Sequence, residues 1–331
     1  MQVCLKCVLN EHFLGIRFDE NGICNFCSSA DSTDKQRSIR SKHEERFKQL
    51  VQEHKGRGSY DCLAAYSGGK DSTYTLHLLM ERYDLRILTY SYDNWFQSDT
   101  AKRNIRAVLR NANVDHLTVT PSFESIKSIV LTSLSDDIYP PKALTRASSI
   151  CTSCISLVRF AGFRIAIDQD IPFLVFGMSP GQAPMATAVV KTNPRMIKTM
   201  QAALLRPLTE KLGDTVRPFF LEQRHFDKAE SFPYSINPLA FAEYNEEVIY
   251  KTIAEYGWRK PDDTDANSTN CLLNALANQV HLDKYGFNPY AYEIAELVRI
   301  GCMAREEGLA RLGEPFPADQ IEEVKKKLGI V

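Results

Sequence analysis

The chain has 331 residues, 44% of them hydrophobic, enough to bury one large core or two modest ones. Forty Lys and Arg side chains against forty-one Asp and Glu leave a net charge of -1, which excludes the basic footprint of a dedicated nucleic-acid binder and disfavours a transfer-RNA substrate. No run of about eighteen apolar residues and no basic-then-apolar leader appear, so a cytoplasmic enzyme with no membrane partner is expected. Nine cysteines, six of them in three Cys-x-x-Cys pairs, point to metal chemistry rather than a secreted disulfide framework.

Cys4-x2-Cys7 and Cys24-x2-Cys27 are separated by sixteen residues that hold the turn Asp19-Glu20-Asn21-Gly22. This is zinc-ribbon spacing: each pair sits on a knuckle, and the intervening hairpin closes four thiolates around one Zn²⁺. A closed shell leaves no position for substrate, so its expected role is structural. A rubredoxin-like iron or two redox pairs compete with this reading. His12 between the pairs reads as a surface residue. From 31 to 54 the sequence is charged, lacks Gly and Pro, and sets Phe47, Leu50 and Val51 at helical spacing, which predicts a helix joining the appended ribbon to the rest.

The apolar run Cys62-Leu63-Ala64-Ala65-Tyr66 turns through Ser67-Gly68-Gly69-Lys70-Asp71-Ser72-Thr73 into a helix predicted to reach Met80. Two glycines let backbone N–H groups approach an anion, the helix adds its positive end, Lys70 a charge, and Ser67, Ser72 and Thr73 hydroxyls. A Gly-x-x-x-x-Gly-Lys-Ser/Thr loop is excluded, because Ala64 stands at its first glycine and Asp71 follows the lysine. The strand-SGGKDS-helix pattern resembles the PP-loop ATP pyrophosphatases. That resemblance implies ATP and Mg²⁺ as cofactors, cleavage to AMP and pyrophosphate, adenylation of a carbonyl or amide oxygen, and displacement of AMP by nitrogen or sulfur.

Beyond the loop, strands at 86–92 and 116–120 alternate with helices at 100–111 and 122–134. The expected fold is α/β: a doubly wound, Rossmann-like parallel sheet with an N-terminal zinc ribbon and a helical C-terminal region. Its expected divisions are the ribbon at 1–30, the connecting helix at 31–56, the nucleotide-binding domain at 57–185 and a helical substrate-side region at 186–331. Ligands bind such sheets beyond the carboxyl ends of the strands, where Asp93 and Asn94 could contact adenosine or simply form the turn.

Cys151-Thr152-Ser153-Cys154 leads into an apolar helix, followed by the buried strand 171–176 and Gly177, a further nucleotide-site candidate. This order resembles the PP-loop enzymes that thiolate cytidine or uridine in transfer RNA. The resemblance implies a [4Fe-4S] cluster held by Cys151, Cys154 and a distant third cysteine, here Cys271, with one iron left open. Zinc at the same residues, or a persulfide or disulfide pair, are the alternatives. Cys62 and Cys302 read as packing residues.

Residues 17–24, the Asp93-Asn94-Trp95 segment, Lys284-Tyr285-Gly286-Phe287, Arg299-Ile300-Gly301 and Arg305-Glu306-Glu307 resemble the N-acetyl sugar amidotransferases. Those use ammonia from a separate glutaminase subunit. Lys70 and the set Cys151, Cys154 and Cys271 depart from their pattern and shift the expected nucleophile from nitrogen to sulfur. The expected acceptor is a small molecule or carrier-bound metabolite, with a sulfur donor as partner, and a homodimer is left open. A non-catalytic, nucleotide-sensing adaptor is the other class. Within 184–238, Lys191, Arg195, Lys198, Arg206 and Arg217 could line a substrate mouth or form a solvated face. Helices are predicted at 241–256, after Asn288-Pro289 and at 318–328, and His281 is a weak acid-base candidate.

Overall fold

The computed structural model describes residues 1–265 and 267–330. After the short turn α1 (Asn25–Ser28) comes α2 (Thr33–His54), started by the Ser32 side chain, which accepts the Lys35 N–H. The α/β part then runs β1 (Cys62–Ala65), α3 (Lys70–His77), β2 (Ile87–Tyr92), α4 (Asp99–Ala112), β3 (Asp115–Val119), α5 (Phe123–Ser135), α6 (Ser149–Asp168) and β4 (Phe173–Val175). Ser98, Ser122 and Ser148 cap α4, α5 and α6, and Asn113 ends α4 in the left-handed conformation. There follow β5 (Val189–Lys191), α7 (Pro194–Leu212), α8 (Gln223–Phe226), β6 (Tyr234–Ile236), α9 (Glu246–Ala254), α10 (Leu273–Tyr285), α11 (Ala291–Arg299), α12 (Arg305–Gly313) and α13 (Ala318–Leu328).

Among the described residues, six strands lie in the order β3-β2-β1-β4-β6-β5, all parallel except β5, which runs antiparallel to β6. The sequence-based boundary at 185 therefore falls inside the sheet, because β5 and β6 complete it. Three-residue strands in a segment broken by Pro and charge give almost no alternating signal, which is why the sequence conceals them. The strand order reverses between β1 and β4, so the crevice at their carboxyl ends is the topological switch point.

Alternation along β1 feeds two cores. Cys62 and Ala64 face Phe47 and Leu50 of α2, together with the ribbon, whereas Leu63 faces the side of Ile126, Phe160 and Leu273. Helix α6 is long and apolar enough to span a membrane by length and composition, with a mean hydropathy of 1.6. It is a core helix, packed on β1, β2 and β4 through Leu157, Phe160 and Phe163. The ribbon shares the first core. Phe13 meets Phe287 at 4.9 Å and Tyr292 at 5.9 Å between ring centres, so residues appended in sequence are built into the C-terminal helices in space.

Candidate active site and metal centre

β1 ends at Ala65, and the chain turns through Ser67-Gly68-Gly69 into α3. Gly68 has φ +76°, and a Cβ there would lie 2.6 Å from the Ala101 carbonyl oxygen, so glycine is required twice over. Its own carbonyl accepts Trp258 Nε1–H at 2.9 Å. The Gly69 N–H reaches Ser67 Oγ and the Lys70 N–H reaches Thr269 Oγ1, each at only 3.3 Å. Both are long bonds at the positive end of a helix, and an anion can take over such donors. Ser72 Oγ stands 3.2 Å from Ser67 Oγ, while Thr73 Oγ1 donates back to the Gly69 carbonyl at 2.8 Å.

Lys70 Nζ is directed into a polar network beside the loop. It donates to Tyr244 Oη at 2.6 Å and to Asp71 Oδ1 at 2.9 Å and lies 3.2 Å from Glu246 Oε1, which belongs to the carboxylate that Arg311 grips. Burial opposes its charge, but Asp71, Tyr244 and Glu246 outweigh burial and hold its pKa well above the usual lysine value. Gly177 follows β4 across the switch point. A Cβ there would sit 2.8 Å from Ser72 Cα, so Gly177 serves the close approach of strand and helix. Asp93 Oδ1 accepts the Trp95 N–H at 2.8 Å and Asn94 Oδ1 the Phe96 N–H at 3.0 Å, which makes both turn formers.

Cys151 and Cys154 lie in the first two turns of α6, where Ser148 Oγ accepts the Cys151 N–H at 3.2 Å. Cys271 reaches the same place because residues 270–272 pair with 96–98 beyond β2. The Ser98 N–H donates to the Asn270 carbonyl at 3.0 Å and the Leu272 N–H to the Phe96 carbonyl at 2.8 Å. Asn94 Nδ2 lies 3.8 Å from Cys271 Sγ, and Cys271 acts electrostatically on Cys154. Asn274 Oδ1 accepts the Cys151 thiol at 3.7 Å, while its Nδ2 bonds Asp265 Oδ2 at 2.9 Å and Tyr290 Oη at 3.0 Å. All three residues are half-buried. Burial pushes each of them up, Cys151 to about 12, and Cys271 pushes both of the others further.

The ribbon cysteines are arranged differently. Their four sulfurs all lie within 4.8 Å of one another and are buried, with Cys4 and Cys27 at 3.9 Å and Cys7 and Cys24 at 3.8 Å. Four sulfurs about 2.3 Å from one ion stand about 3.8 Å apart in a tetrahedron, so this set fits a single tetrahedral ion. Among the described residues no other group of three or more His, Cys, Asp or Glu is as close-set. Cys27 is drawn down to about 5, first by the hydrogen bond from Cys7, with Arg299 adding to the effect. Arg305 clamps the knuckle from outside, donating from Nη2 to the Cys4 carbonyl at 2.9 Å and from Nε to the Cys7 carbonyl at 3.0 Å.

Arg206 pairs with Glu210 and Arg217 with Asp214, while Lys191 Nζ donates to the Phe232 carbonyl. Cys62 is buried, Cys302 packs against the first core, and His12 is exposed. His281 is buried against Tyr285 and Phe287, and burial lowers its pKa to about 4. Sequence reasoning missed Asp265, Asn274, Tyr290, Tyr244 and Glu246. Of these only Asn274, a polar residue three positions after Cys271 in an apolar helix, carries a readable signal.

The fold and site define a mostly parallel α/β protein with a glycine-loop cleft at the switch point and two separate thiol sets. No family model matches the chain. Uncharacterized protein MJ1599 of Methanocaldococcus jannaschii is 26% identical over 271 residues, 82% of this chain and 79% of that one. Among solved structures, the U34-tRNA thiolase NcsA from Methanococcus maripaludis with its [4Fe-4S] cluster aligns over 100% of this chain and 99% of its own. The identity is 17% and the TM-score 0.35.

Proposed function

We propose that this protein is a cytoplasmic PP-loop enzyme that uses Mg²⁺ and ATP to adenylate a carbonyl or amide oxygen on a small-molecule or carrier-bound substrate. It then exchanges that oxygen for sulfur, with Cys151, Cys154 and Cys271 as ligands to a [4Fe-4S] centre and Cys4, Cys7, Cys24 and Cys27 as ligands to Zn²⁺. The observation that carries the reading is the pairing of 270–272 with 96–98. It seats Cys271 on Asn94, within electrostatic reach of Cys151 and Cys154, and it lays Thr269 over the Ser67–Thr73 loop.

The shared setting of the three cleft thiols supports a cluster. Cys271 acts electrostatically on both Cys151 and Cys154, as ligands of one centre must, and all three residues are half-buried. Held by three thiolates, such a cluster supplies an open iron for sulfide. The chain's own residues bind and orient: the Ser67–Thr73 loop takes the pyrophosphate portion of ATP, and Lys70 fixes the Asp71 carboxylate. A glutaminase partner belongs to the nitrogen-transfer alternative, which keeps the same adenylation but leaves three clustered thiols without use.

The test is product analysis with Mg·ATP and a fractionated metabolite extract as the acceptor source. Equal amounts of AMP and pyrophosphate are expected, lost in Asp71→Asn. ADP and phosphate as products would overturn the reading.

A further inference from the structure

One carboxyl group at the cleft belongs neither to the phosphate loop nor to the thiol sets. Glu293 of α11 accepts the hydroxyl of fully buried Ser179, whose own N–H donates to Gln182 Oε1 at 3.3 Å. Two close approaches four residues apart fix its place. A Cβ on Gly177 would be 3.0 Å from the Asp71 carbonyl oxygen, and one on Gly181 would be 2.9 Å from Glu293 Cα. The loop 178–182 therefore spans from the start of α3 to Glu293, and Arg146 Nη1 holds it from the far side through the Gly181 carbonyl at 2.6 Å.

The charged and titratable groups that act on the Glu293 carboxyl are Asp71 and Lys70 of the phosphate loop, and it acts in turn on Tyr290, just before its own helix. Burial raises its pKa, Asp71 raises it further, and Ser179, Lys70 and Gln182 oppose, with a balance at about 7. A carboxyl so placed exchanges its proton at neutral pH.

We infer that Glu293, held by Ser179 at the rim of the phosphate loop, is the proton acceptor of the transfer step; the inference rests on the adenylation reading above. A nitrogen or sulfur nucleophile arrives carrying N–H or S–H. Its lone pair bonds the adenylated carbon, the C–O bond to AMP breaks, and AMP leaves with that electron pair. The hydrogen on the incoming atom must depart as a proton, and the Glu293 carboxylate takes it. This requirement is the same for ammonia and for hydrosulfide, so the assignment does not depend on which one attacks.

The experiment is calorimetric titration of α,β-methylene-ATP with Mg²⁺ into the full chain, between about pH 6 and 8, in two buffers of different ionisation enthalpy. Incoming phosphate charge raises the Glu293 pKa further, so the wild type should take up part of a proton near neutral pH. Glu293→Gln should bind within about threefold of wild type and lose that part of the uptake. Ser179→Ala removes a donor to the carboxylate and should move the uptake to higher pH. Equal uptake by wild type and Glu293→Gln, with binding intact, overturns the inference alone. Failure of the wild type to bind overturns the nucleotide reading and the inference with it.

Discussion

The two cysteine sets are built from the same side chain and the same Cys-x-x-Cys beginning, yet the fold treats them in opposite ways. The ribbon four are buried within 4.8 Å of one another, with Arg305 on their backbone and Arg299 near their sulfurs. The cleft three are half-buried residues, and the neutral amides of Asn94 and Asn274 touch Cys271 and Cys151. A site that contributes folding energy closes its shell and brings cationic side chains to its thiolates. A site that works on substrate leaves a face open and is lined by groups that orient without neutralising.

Helix α11 joins the two regions. Its last residue, Arg299, lies beside the ribbon thiols, and Tyr290 just before its start bonds Asn274, which bonds Cys151. The two thiol sets are therefore linked through one helix and the residue before it.

The largest effect is expected from Cys24→Ser. Structural zinc of this kind is linked to folding energy on the order of 10 kcal/mol, and the variant should lose its metal. Loss of hydrogen-exchange protection should spread from the ribbon into α11 and α12 while β1, β2 and β4 stay protected. Metal content equal to wild type would break the comparison at its first term.

A smaller effect separates metal from docking. Arg305→Met leaves the four thiols in place but withdraws the donors to the Cys4 and Cys7 carbonyls, which should cost about 1–3 kcal/mol in denaturant unfolding with the metal retained. A loss as large as that of Cys24→Ser would mean that docking, and not the ion, holds the ribbon.

The smallest effect on stability belongs to the cleft. In protein freed of any cluster, Cys271→Ser changes one atom at a half-buried position and should shift unfolding by less than about 1 kcal/mol. Destabilisation on the ribbon's scale would assign the cleft thiols a structural role and erase the contrast.

Much of this arrangement was legible in the sequence because it rests on local chemistry. The glycine turn between an apolar run and a helix, the two knuckles around Asp19-Glu20-Asn21-Gly22, and the Ser-capped helices α4 and α5 all fall where spacing places them. What escaped depends on contacts between distant segments. The pairing of 270–272 with 96–98 has no periodic signature, and β5 and β6 are too short to alternate. The helix expected from 241 starts instead at Glu246, because Asn245 caps it by accepting the Val248 N–H. Lys70 was legible as a charge at the loop, but its partners Tyr244 and Glu246 lie more than 170 positions away. Glu293 gave no signal at all, since one acidic residue in an amphipathic helix ordinarily faces water.

The most direct test of the contrast is metal and sulfide analysis of protein prepared without oxygen, wild type beside Cys271→Ser. The account predicts about one zinc with about four irons and four acid-labile sulfides per chain in the wild type, and the same zinc with the iron and sulfide lost in the variant. Zinc in both thiol sets, or iron that survives the loss of Cys271, would contradict it.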